Sequence, residues 1–185
     1  ALKPHCEACL ASLHASAALD DAWARGVISH RLNASRPTVG AEGTIRVQGA
    51  RHPLLHLTGC DPVPNDLELT DSAPALIVSG PNGGGKTVAM KTFGLVALLV
   101  AHGCWVPAAR GARVDLFQVV AASLGDYQDV TAGLSTFSGH LQGISAILRT
   151  IKTRRGSGLV LLDELCSGTD PSQGAALAQV GLPCI

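Results

Sequence analysis

The chain has 185 residues, 46% hydrophobic but only 3% aromatic, with 21 glycines and a formal net charge of zero. That length holds one substantial core plus a small appendage and leaves little room for a separate effector domain. A core so poor in aromatics suits a buried parallel sheet covered by helices, and the balanced charge gives no electrostatic pointer to a nucleic acid or a membrane.

Along residues 2–32, Leu10, Leu13, Ala17, Trp23, Val27 and Leu32 recur at roughly helical spacing, which predicts a helix. Cys6 and Cys9 form a Cys-x-x-Cys pair near His5 and His14, but no second pair completes a zinc tetrad. The remaining cysteines, Cys60, Cys104, Cys166 and Cys184, fall in unrelated segments, so reduced thiols in an intracellular protein are expected. No basic-then-apolar leader opens the chain, so no secretory signal is expected, and a transit peptide further upstream stays open. Residues 33–43, rich in Pro, Gly and small polar types, read as the joint to the next unit.

Strand signals follow. Ile45 and Val47 alternate with polar neighbours, as do Leu67 and Leu69, and residues 75–78 form a short apolar run that reads as a buried central strand ending in Ser79-Gly80. Residues 87–102 predict a helix with Pro107 as a stop. A strand near 116–123, a helix over 135–152 and a strand over 159–162 complete an alternation that argues for an α/β three-layer fold. The longest apolar run, 94–101, falls far short of the ~20 residues of a spanning helix, so it reads as a core helix and no membrane partner is expected. Arg149, Lys152, Arg154 and Arg155 read as a solvated helix end and turn rather than as a phosphate-binding patch.

Between the strand at 75–78 and the helix at 87–102 lies Gly80-Pro81-Asn82-Gly83-Gly84-Gly85-Lys86-Thr87, a Gly-x-x-x-x-Gly-Lys-Thr segment in the strand–loop–helix context of a phosphate-binding P-loop. Glycines let successive backbone amides curl around a polyanion, and a helix starting near Lys86 presents unpaired amides and its positive dipole end. Lys86 is expected at the β- and γ-phosphates of ATP, and Thr87 as a hydroxyl ligand of Mg2+. The strand at 159–162 ends in Asp163-Glu164. Beside the cradle, Asp163 is placed to hold the metal and Glu164 to polarise an attacking water as general base. Ser135, in Leu134-Ser135-Thr136-Phe137-Ser138, opens a helix and reads equally as an ordinary N-cap or as a γ-phosphate contact.

These segments carry a family resemblance over roughly residues 2–178. Besides the cradle and Leu162-Asp163-Glu164, the chain shows Arg51-His52-Pro53, Val63-Pro64-Asn65-Asp66, Gly103-Cys104-Trp105-Val106-Pro107-Ala108 and Leu134-Ser135-Thr136-Phe137 in an order that resembles the ATPase region of the MutS family of DNA repair proteins. Asp126 with Gln128, Gly168-Thr169-Asp170-Pro171 and Gly174-Ala175-Ala176-Leu177-Ala178 resemble its recombination-suppressor, MutS-two-type branch more than its mismatch-reading branch. The resemblance implies a P-loop NTPase three-layer sandwich of the ABC-type ATPase class with an N-terminal helical flank. Residues 1–36 would be the end of the helical lever domain, and residues 37–185 the ATPase domain.

The same resemblance implies a homodimer with two composite ATP sites, in which Ser135 reaches the γ-phosphate held by the other subunit, while Val63, Asn65 and Asp66 lie near the adenine. DNA would be gripped through domains outside this chain, with the ribosome as an alternative partner of the branch and a nuclease domain beyond Ile185. An intracellular protein is implied, cytoplasmic, nucleoid-associated or in an organelle. Gly83 stands where the branch usually has threonine, Cys166-Ser167 replace a small pair, and Gln173 replaces a glutamate. A further strand and a γ-phosphate-sensing histidine are expected to follow Ile185, which leaves a sheet edge exposed and predicts marginal stability or aggregation.

Two other classes stay open on the residues. A non-catalytic nucleotide-binding fragment fits the missing C-terminal segment. The energy-coupling subunit of a membrane transporter shares the cradle and acidic strand, but would usually carry Leu-Ser-Gly-Gly-Gln where residues 134–138 stand.

Overall fold

The structure is a computed structural model that describes residues 5–81, 83–123, 136–153 and 157–163, with backbone alone for 136–142. Its elements run α1 (Cys6–Arg31), β1 (Ile45–Ala50), α2 (Pro53–Leu57), β2 (Asn65–Leu69), α3 (Lys86–Ala101), β3 (Arg113–Val114), β4 (Val119–Ser123), α4 (Thr136–Thr153) and β5 (Gly158–Leu162). The chain is therefore mixed α/β. The described strands form an antiparallel sheet of order β2-β1-β3 and a parallel pair β4-β5.

The parallel pair runs in unbroken register from Val119 opposite Gly158 to Ser123 opposite Leu162. Its aliphatic residues suit two-sided burial: Leu159 and Leu161 enter the core, and α3 packs across both strands while α4 packs on β4. In α3, Phe93, Val96, Ala97 and Val100 recur at i, i+3, i+4 and i+7, so one face is buried. They meet Ile45, Val47, Ala50 and Leu67 of the antiparallel sheet together with Leu159 and Leu161, which makes α3 the element around which the core is assembled.

The end of α3 follows from its sequence. Gly103, at φ +71°, donates to Val100 O, and the Cys104 amide donates to Leu99 O. This is the paired closure of a helix by a left-handed glycine. The next residues tie the helix to the segment after α1: the Val106 and Ser35 amides each bond the other's carbonyl, and Ser35 Oγ donates to Ala108 O and Ala109 O. Residues 33–43, read as a joint, are thus stitched to the body, with Leu32 fully buried at their start. Upstream, α1 is exposed along most of its length, and Ser29 is its buried residue.

One expectation fails. Residues 75–78 are not a buried central strand: among the described residues they form no ladder, and Leu76, Ile77 and Val78 are exposed, Ile77 by 78%. An apolar run becomes a buried strand only where neighbours accept its backbone bonds. The segment leading into Gly80 has no strand partner among the described residues. Two short elements were not foreseen: α2, started by His52 and Pro53, and the two-residue strand β3.

Candidate functional site

The glycine loop opens directly into α3. Gly85 is the N-cap at φ +85° and Gly83 lies at φ +81°, conformations that other residues adopt at a cost, which is why glycine stands there. Gly85 brings no side-chain cap to α3, and a helix start of this kind suits an anion. Gly80, Pro81, Gly83, Gly84 and Gly85 are exposed, and the Gly84 amide donates to Pro81 O at 3.1 Å, closing the loop on itself. The Lys86 ammonium reaches back across it to Gly80 O at 2.8 Å and Pro81 O at 2.9 Å, which points the cation into the loop.

Thr87 and Asp163 come together from opposite sides of the chain. The Thr87 hydroxyl donates to Asp163 Oδ2 at 2.8 Å, and the Asp163 amide donates to Ser123 O at 2.9 Å. The first turn of α3 is thereby joined to the end of β5, and the end of β5 to that of β4. A hydroxyl and a carboxylate oxygen side by side are hard donors of the kind Mg2+ takes, and both residues are half-buried. Asn82, Ser135 and Glu164 lie outside the described residues.

Of the residues expected near an adenine, Asn65 and Asp66 hold bonds to their own surroundings. Asn65 Nδ2 donates to Val63 O, and Asp66 Oδ1 accepts the Gly49 amide at 2.8 Å, bridging the irregularity between Val47 and Ala50 in the β1–β2 pairing. Val63 is exposed. All three belong to β2 and its approach, in a different sheet from the strand that carries Asp163.

Nearby, His52 is a buried N-cap whose Nδ1 accepts the Leu55 amide. Desolvation, then the charge of Lys91 on α3, lowers its pKa, while its backbone contact works the other way. Asp115 stands in no sequence motif. It is wholly buried and accepts from the Glu42 and Thr44 amides and from Arg113, which also pairs with Glu42. Burial alone would raise its pKa, but the Arg113 bond and the two amides outweigh that and lower it, while Arg113 is raised. This carboxylate is structural: it braces residues 40–44 against β3.

Among the described residues no group of three or more His, Cys, Asp or Glu could hold a metal, and no helix is long and apolar enough to cross a membrane. Cys6 and Cys9 lie exposed on α1. Fold and site together define a mixed α/β chain in which a glycine-rich loop and its helix are bonded to the acidic end of a parallel strand.

Comparison with known proteins sharpens that class. Residues 76–183 match the family model of MutS domain V. The Endonuclease MutS2 of Geobacillus kaustophilus is 46% identical over 167 residues, covering 90% of this chain and 21% of the relative. Those of Symbiobacterium thermophilum and Caldicellulosiruptor bescii are 44% and 41% identical, covering 93% and 95% of this chain and 21% and 22% of theirs. The chain belongs to the MutS family, in its MutS2 type, and spans about a fifth of the length of these relatives.

Proposed function

We propose that this chain is the ATP-binding and ATP-hydrolysing domain of a MutS2-type protein, a P-loop three-layer sandwich over residues 37–185 joined to the end of a lever domain over 1–36. The observation that carries the reading is the bond between Thr87 and Asp163 beside a loop whose lysine points inward. Loop amides from Gly80 to Gly85, with Lys86, would bind the phosphates, since a helix start without a side-chain cap favours an anion. Thr87 and Asp163 would exchange their mutual bond for a shared Mg2+, which when bound neutralises phosphate charge. Glu164, next after Asp163, is assigned to orient and deprotonate the attacking water, and Ser135 to reach the γ-phosphate of a second subunit.

In this reading ATP state governs how a dimer of the whole protein holds DNA through parts outside this chain. The relatives' name, Endonuclease MutS2, supports a nucleic acid as the polymer. Asn65 and Asp66 are proposed at the adenine only by likeness, because their present bonds serve the β1–β2 pairing.

The test is a calorimetric titration of the purified chain with a non-hydrolysable ATP analogue and Mg2+, beside Lys86→Ala. Saturable binding by the parent and its loss in the variant is the expected result. Equal heats from both would remove the cradle from the assignment.

A further inference from the structure

Helix α3 carries Thr87 in its first turn, and β5 is followed at once by Asp163. Between them, Gly94 of α3 lies against Leu161 of β5. A β-carbon built on Gly94 would lie 2.5 Å from Leu161 Cδ1 and 3.9 Å from its Cγ. Gly94 is buried, and Leu161, 9% exposed, is held in the cluster that contains Phe93, Val96, Ala97 and Leu159. The leucine methyl therefore has little space into which to retreat.

Position 94 follows Thr87 by seven residues. At about 100° per residue the two lie on one face of the helix, roughly 10 Å apart along its axis. Leu161 precedes Asp163 by two residues, and both side chains reach α3, Leu161 at Gly94 and Asp163 at Thr87. One face of α3 thus meets one face of β5 at two points, a packed contact at Gly94 and Leu161 and a hydrogen bond at Thr87 and Asp163. Lifting the helix off the strand by about 1 Å would take a 2.8 Å bond out of range. Glycine inside a helix costs about 1 kcal/mol relative to alanine, and the rest of α3 is rich in Ala, Leu and Val. A close approach that only glycine permits accounts for its presence here.

We propose that Gly94 is a positioning residue for the metal seat: by letting α3 rest directly on Leu161, it sets the separation at which Thr87 and Asp163 meet. The proposal rests on the reading of that pair as Mg2+ ligands.

The experiment uses the purified chain with Gly94→Ala, Leu161→Ala and the two combined. Affinity for the ATP analogue is measured in EDTA, and Mn2+ binding to the analogue complex by electron paramagnetic resonance, with thermal unfolding followed in parallel. Gly94→Ala is expected to weaken Mn2+ by about tenfold, the scale of lost support around a metal ligand, and to leave metal-free analogue binding unchanged. Adding Leu161→Ala should restore Mn2+ affinity, because the shortened side chain makes room for the new methyl. If Gly94→Ala does not fold alone, folding and Mn2+ affinity regained in the double variant carry the same conclusion. Losses of Mn2+ affinity that simply add, equal losses with and without metal, or a double variant that stays unfolded would each overturn it. Parent chain that binds the analogue no better with Mn2+ than without would overturn the underlying reading of Thr87 and Asp163 instead.

Discussion

Asp115 shows how much a single buried carboxylate organises away from the candidate site. It has no exposed surface, yet it serves two backbone amides of residues 42 and 44 and the guanidinium of Arg113. A β-carbon on Gly40 would come within 2.7 Å of Asp115 Oδ1, so the loop closes tightly over the acid. Removing it strands those donors, and Asp115→Ala is expected to lower stability by about 3 kcal/mol in urea unfolding at neutral pH. The sign of the acid dependence follows from the lowered pKa. The unfolded chain takes up this proton at the ordinary value of 3.8 and the folded chain only at lower pH, so the contribution is complete above 3.8 and is lost as pH falls through the folded value. The variant's stability should therefore fall less steeply than the parent's below about pH 4. Parallel acid limbs would show that Asp115 titrates no differently when folded.

Elements long enough to show a period were legible in the sequence: α1, α3 and α4, with β1, β2, β4 and β5, lie within a few residues of where apolar spacing puts them. What spacing does not carry is the neighbour. Residues 75–78 have the composition of a central strand but no ladder among the described residues, while α2 and β3 are too short for any period to appear. Asp115 was invisible for a related reason, since an aspartate after Val114 reads the same whether it faces water or two amides. The Thr87–Asp163 bond could be read because both ends belong to motifs whose chemistry requires them to meet.

The stop of α3 lies between these cases, because Pro107 marked it while Gly103 forms it. With Gly103 at φ +71°, Gly103→Ala is expected to cost about 1–2 kcal/mol through left-handed backbone strain. Gly103→Asn should cost less, because asparagine tolerates that conformation. Arg25 Nη1, 2.5 Å from the added β-carbon, can swing clear, so chemical denaturation that ranks asparagine no better than alanine would locate the cost in that contact rather than in the backbone.

At the scale of the whole molecule, the described chain divides into a packed body and a helix standing on it. From the joint upward, α1 touches the body chiefly through its last two turns: Trp105 N–H donates to Ser29 Oγ, Arg25 overlies Gly103, and Leu32 is buried just beyond the helix. The earlier turns expose Leu10, Leu13, Leu19 and Trp23 to solvent. A helix draws most of its stability from tertiary packing, and its free end frays where there is none. In α3, by contrast, Val96, Ala97 and Val100 sit in the centre of the core. Hydrogen exchange read by mass spectrometry should therefore separate the two helices. Amides before Trp23 are expected to exchange through local opening at rates insensitive to low urea, whereas those around Val96 exchange only with global unfolding and accelerate with urea in step with it. Equal protection of both helices would mean that α1 is covered in solution, most simply by self-association of its apolar residues, and protection of α1 would then fall on dilution while that of α3 would not.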